Sequence, residues 1–171
     1  SVCQSKMAVL EYQCEIRGKA NGTVDFPCTR NDSASAPVCD TRGDVHFWDV
    51  WHGGKPFTEY RKHNFRFCSE YGFEAFPSIK TLREVCPENE LNAFSRVVEN
   101  HQKCKGGNKK ILMYLAENYL YPNDFETLVY ASQLLQADAI KYGVEHFRRN
   151  RGYCMGSAYW QFNDCWPVAS W

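Results

Sequence analysis

Between Phe125 and Phe147 the apolar positions Phe125, Leu128, Val129, Leu135, Ala139, Ile140, Val144 and Phe147 trace one stripe at helical spacing. This long helix is bracketed by short runs with the composition of strands. Upstream, Val45 to Trp51 is β-branched and aromatic and is ended by His52-Gly53-Gly54 and Pro56, and Phe65 to Tyr71 is closed by Gly72. Downstream, Met155 to Phe162 reads as a last strand. A second helix is predicted over Asn108 to Leu120, with Ile111, Leu112, Leu115 and Tyr119 at helical spacing. Asn123 is placed to cap the long helix, with Glu126 three residues on as in a capping box. At the other end Arg148, Arg149 and Arg151 oppose the helix dipole and Gly152 closes the helix. Strands separated by helices predict parallel β/α units, and three or so strands cannot close a barrel, so the pattern is that of part of one.

Residues 1–43 carry less pattern: a short strand is predicted over Met7 to Tyr12, and the polar run from Pro27 to Gly43 reads as a long loop. The 171 residues fit one domain, and 44% hydrophobic with 23% charged residues argue against global disorder. Twenty basic and twenty acidic residues balance, which gives no electrostatic reason to expect nucleic acid or an anionic membrane. No apolar run approaches the roughly 20 residues that span a bilayer. The nine cysteines form no CxxC pair and no zinc-type spacing with histidine. Cys68, Cys154 and Cys165 lie in or beside strand-like runs and read as small hydrophobes; a disulfide framework, the alternative, would be confined mainly to the first 40 residues. Asn21-Gly22-Thr23 and Asn31-Asp32-Ser33 are glycosylation sequons but do not decide the compartment. The chain begins with Ser1 rather than Met and stops at Trp171 after an aromatic stretch, and is read as a fragment.

Alternation along the second strand puts Arg66, Cys68 and Glu70 on one side. A carboxylate that shares a face with an arginine at the end of an aromatic strand needs a partner or a purpose. On these residues alone, an ion pair with Arg66 or a helix residue is the simpler account. Two longer motifs change the balance. Arg66-Phe67-Cys68-Ser69-Glu70-Tyr71-Gly72-Phe73, with Phe76-Pro77-Ser78, resembles the nucleophile strand of glycoside hydrolase family 2 β-mannosidases. Tyr159 to Trp171 resembles the last barrel strand of the same enzymes. His46 to Gly53, His101-Gln102-Lys103 with Gly107-Asn108, and Ser132 to Ala137 fit in the same order, so the resemblance runs from about residue 43 to the end.

The resemblance implies an α/β chain forming the C-terminal half of a (β/α)8 TIM barrel, with residues 44–171 as strands six to eight and their helices and residues 1–43 around strand five. It implies release of terminal β-D-mannose with retention through a covalent glycosyl-enzyme. That chemistry needs two carboxyls about 5–5.5 Å apart, one attacking and one protonating the leaving oxygen. Glu70 matches the nucleophile. The acid/base glutamate of the family follows an asparagine on strand four, and Glu11, Glu15 and Glu59 do not follow Asn. Asn89-Glu90 comes after Glu70, so the acid/base is expected outside this chain. Trp160 corresponds to the tryptophan that floors the sugar subsite, where a flat ring suits the C–H face of a pyranose. Trp48, Trp51 and His52 either line the pocket or pack the barrel. Asn163 and Asp164 fix the following loop or meet sugar hydroxyls, and Arg148 and Arg149 form a solvated or ion-paired helix end.

Three positions depart from the family pattern: Phe47 in place of Tyr, Glu74 in place of Gln and Phe147 in place of Trp. Phe47 loses a hydroxyl near the pocket, and Glu74 is a second acid that could raise a pKa if both it and Glu70 were buried. The expected partners are β-mannoside oligosaccharides or glycoconjugates and the upstream half of the barrel, with no nucleic acid, membrane, metal or organic cofactor. The alternatives are another family 2 exo-glycosidase (exo-β-glucosaminidase, β-galactosidase or β-glucuronidase) or a carbohydrate-binding relic without catalysis. The motif wording is nearest to bacterial intracellular members, which points to the cytoplasm ahead of lysosome or secretion. Alone, the chain is expected to hydrolyse nothing.

Overall fold

The computed structural model describes residues 8–11, 40–41 and 43–171. The loop expected over 27–43, Cys3, Cys14, Cys28 and Cys39, and both sequons lie almost wholly outside the described residues. Two compact units divide the chain: one holds Gly72–Lys141 and Trp160–Trp171, the other lies within Ala8–Tyr71 and Tyr142–Tyr159.

The second of these contains the sheet. Its strands are β1 (Ala8–Glu11), β2 (Asp44–His46), β3 (Phe67–Glu70) and β4 (Gly156–Tyr159), in the order β1-β4-β3-β2. β2, β3 and β4 run parallel, as the alternation of strands and helices requires, whereas β1 joins β4 antiparallel. β2 is much shorter than the expected run to Trp51. From Trp48 the backbone turns instead, with the His52 and Gly53 amides both donating to the Trp48 carbonyl (2.7 and 3.1 Å). A Cβ on Gly53 would lie 2.7 Å from the Asp49 carbonyl, so this turn overrides the β propensity of its aromatic residues.

Beside the sheet, Phe47, Tyr60, Phe65, Tyr71 and Phe147 form a buried aromatic cluster. Ring centroids lie 5.2 Å apart for Phe47–Phe65 and 5.1 Å apart for the edge-on pair Tyr71–Phe147. Phe47 and Phe147, two of the departures from the family pattern, are therefore core residues here. Gly143 lets the long helix approach this cluster, since a Cβ there would sit 2.7 Å from Tyr71 Cε2.

The other unit is built of helices: α1 (Ile79–Val85), α2 (Arg96–Asn100), α3 (Gly107–Asn118) and the first part of α4 (Phe125–Arg149). Ser78 and Ser95 cap α1 and α2 by accepting from the Thr81 and Val98 amides. α4 is capped by Asp124, whose carboxylate accepts from the Thr127 amide at 2.8 Å and its hydroxyl at 2.7 Å, rather than by Asn123. The carboxylate competes better for the amides because charge and helix dipole act together. The expected stripe is on the buried side of α4, with Leu128, Val129, Leu135, Ala139 and Phe147 inside, and it is joined there by Ser132 and His146. In α3, Tyr114 is buried edge-on to Phe73 at 4.9 Å, while Tyr119 ends the helix.

Candidate active site

Glu70 is the last residue of β3, and its position is set by an irregularity between β2 and β3. Asp44 pairs with Phe67 and Val45 with Cys68, but His46 pairs with Glu70, so Ser69 has no opposite number. This is a β-bulge, a device that re-aims side chains. The displaced Ser69 amide finds its acceptor on the Asp44 carboxylate (3.0 Å), and the Ser69 hydroxyl donates to the same group (2.6 Å). The Phe47 amide then donates to the Glu70 carbonyl at 2.7 Å, which fixes the backbone where the carboxylate projects.

Two nitrogens converge on one oxygen of that carboxylate. Trp48 Nε1 donates to Glu70 Oε2 at 3.2 Å, and His46 Nδ1 lies 3.2 Å from the same atom. Glu70 is partly open, with 23% of its side chain exposed. An ion pair with Arg66 is not how it is held. That guanidinium lies over the Tyr153 ring, 4.8 Å from its centroid. Trp48 is partly buried and its ring is 5.0 Å from that of His52, which is exposed; Trp51 is fully buried and belongs to the core. Cys68 offers no rival nucleophile, because burial, reinforced by the Asp44 charge, pushes its thiol well up and keeps it protonated. Among the described residues no group of three or more His, Cys, Asp or Glu side chains is placed to hold a metal ion.

His46 is the site residue that alternation within one strand does not reveal. Its role depends on register between two strands and on the bulge that shifts it.

In the other unit, Trp160 follows β4 directly and is partly exposed, and the Trp160–Gln161 peptide is cis. Gln161 Nε2 donates to Asp164 at 2.9 Å, so Asp164 brackets the loop, while Asn163 is exposed. The motif His101-Gln102-Lys103 anchors the C-terminal segment. The His101 carbonyl accepts from the Ala169 amide (2.8 Å), its ring contacts the Pro167 carbonyl, and Lys103 lies over Trp166. Glu74 is 1% exposed and accepts from Gln102 Nε2 at 3.0 Å. Burial pushes its carboxyl up to about 8, with Asp164 adding to the shift and the Gln102 hydrogen bond opposing it. The cause is desolvation; Glu70 is not buried as a coupled pair of acids would require.

The Ser132 to Ala137 motif serves the backbone after β3. Ser132 Oγ accepts from the Phe76 amide (3.1 Å), Gln133 Nε2 donates to the Phe76 carbonyl (3.2 Å), and Gln136 Nε2 donates to the Phe73 carbonyl (2.7 Å).

The chain is 41% identical over 137 residues to β-mannosidase B of Aspergillus flavus, and 40% identical over the same length to that of Aspergillus niger. Each alignment covers 77% of this chain and 16% of the relative. The crystal structure of β-D-mannosidase from Dictyoglomus thermophilum matches with a TM-score of 0.73 and 43% identity, over 75% of this chain and 16% of that one. This chain is β-mannosidase-like. It spans about one sixth of the length of the relatives it matches (no family model matches the sequence). The β-mannosidase-like region takes in most of the described residues, an α/β arrangement around a small, mainly parallel sheet.

Proposed function

We propose that this chain supplies the nucleophile side of a retaining β-mannosidase, with Glu70 as the nucleophile. One observation carries the reading: Glu70 ends a parallel strand, is partly open, and has Trp48 Nε1 and His46 Nδ1 both 3.2 Å from a single carboxylate oxygen. Oε2 is engaged by Trp48 and His46, which leaves Oε1 to attack the anomeric carbon of a terminal β-mannoside. The glycosidic oxygen departs with a proton from an acid/base carboxyl supplied by the upstream part of the barrel. Water, deprotonated by that same group, then releases mannose from the covalent ester with its configuration retained. The parallel neighbours β2, β3 and β4 correspond in this reading to strands six, seven and eight of a TIM barrel, whose strand ends carry the catalytic groups. Trp160, next after β4, supplies the flat ring beneath the sugar and His52 lines the rim.

The test is covalent. A 2-fluoro-mannosyl substrate, slow to turn over, is incubated with the full-length protein carrying this chain, and the labelled peptide is mapped. The expected label is on Glu70, and Glu70→Ala lowers kcat by several orders of magnitude. A label outside Cys68 to Phe73 refutes the assignment.

A further inference from the structure

We propose that His46 is a positioning residue for Glu70, held in turn by the bulge that Asp44 stabilises; the inference rests on the reading of Glu70 as nucleophile. The geometry is local to β2 and β3. The ring of His46 lies between two carboxylates, with Nδ1 3.2 Å from Glu70 Oε2 and Nε2 3.9 Å from Asp44 Oδ2. Asp44 is itself fixed, since it holds the amide and hydroxyl of Ser69 across the strands. Without that clamp the Ser69 amide would return to the regular ladder, and the register would place Ser69 rather than Glu70 opposite His46. Asp44 thus sets where the backbone of β3 delivers Glu70, and His46 sets which way the carboxylate faces.

Only Nδ1 can serve Glu70, and this separates positioning from general packing. An asparagine at 46 can put its amide nitrogen near the place of Nδ1. A glutamine carries its amide further out, toward the place of Nε2. His46 is exposed, with 47% of its side chain in solvent, so its substitution leaves the aromatic core untouched.

A carboxylate free to rotate about its last bonds loses attack geometry while sugar binding is kept, so the loss falls on the rate of attack rather than on binding. Full-length wild type and the variants His46→Ala, His46→Asn, His46→Gln and Asp44→Ala are compared on 2,4-dinitrophenyl β-mannoside. Its leaving group needs no protonation, so formation of the mannosyl-enzyme is isolated from the acid. That step is followed by itself as dinitrophenol release in a single turnover with enzyme in excess, before hydrolysis of the intermediate calls on the acid/base. Concentrations are set by active-site titration with the 2-fluoro reagent. His46→Ala, His46→Gln and Asp44→Ala are expected to lower the saturating single-turnover rate about 10- to 100-fold with the half-saturating concentration changed less than about threefold, and His46→Asn to stay within about threefold of wild type. His46→Ala with an unchanged single-turnover rate overturns the proposal, as does His46→Asn falling as far as His46→Ala. A wild-type label away from Glu70 instead brings down the nucleophile assignment itself, and the positioning role with it.

Discussion

Replacing Glu74 with Gln keeps the shape of a neutral carboxyl and removes its ability to ionise. In the folded protein Glu74 is 1% exposed and its carboxyl titrates near 8, against an ordinary value of 4.5. The sign follows from which form each state prefers. Below about 4.5 both folded and opened states are protonated and the full stability is present. As pH rises, the opened state sheds its proton while the buried carboxyl keeps its own, so stability falls until the pH passes about 8. The fall is about 1.4 kcal/mol per pH unit, or tenfold in the opening equilibrium. Hydrogen–deuterium exchange of peptides spanning residues 73–76 and 102–107, compared between wild type and Glu74→Gln at each pH, reads this directly. Intrinsic exchange rates cancel in the ratio. The protection of wild type relative to the variant should drop about tenfold per pH unit between roughly 5 and 7.5 and level off above about 8. A ratio independent of pH over that range would refute the argument, because it would mean that Glu74 ionises alike in both states.

Gly143→Ala should destabilise by about 1–3 kcal/mol, because the added methyl meets Tyr71 at 2.7 Å and the gain in helix propensity, about 1 kcal/mol, is smaller than the overpacking; a neutral or raised melting temperature would contradict the packing. Trp160→Ala in the full-length protein should lower kcat/KM roughly 10- to 1,000-fold, with kcat hit harder if stacking tightens in the transition state. Unchanged kcat/KM in a folded variant would make Trp160 a packing residue.

What the sequence discloses follows the range of the interactions involved. α4 was legible because its stripe repeats over 25 residues, long enough for periodicity to dominate. The strand ending at Glu70 was legible because Gly72 closes an aromatic run. β2 is shorter than its propensity predicts, since Trp48 to Trp51 have strand propensity but their backbone is committed to the turn at Gly53. α1 and α2 leave no periodic trace in the sequence; at seven and five residues, they are too short for periodicity and depend on the single serine caps at Ser78 and Ser95. The polar residues Ser132 and Gln136 interrupt the apolar side of α4 for a reason that only the folded chain supplies, namely backbone groups arriving from 73–76. His46 belongs to a motif the sequence shows, but its place beside Glu70 does not follow from that motif, because which residue faces Glu70 is decided by pairing between strands.

Among the described residues, the segment Phe73 to Phe76 has a single bridge to another extended segment, Ala75 with Ser170. Ser132, Gln133 and Gln136 make up the difference, so one side of a helix does for this backbone what a neighbouring strand would do. An engineer repacking α4 for thermostability by the usual rule, greasing every inward position, would in effect be unzipping a sheet. Leucine at 132 would leave the Phe76 amide stranded, at a cost of about 1–3 kcal/mol that no added apolar area at a full site can recover. These three side chains should be treated as main chain by proxy, and held fixed while the apolar positions around them are varied.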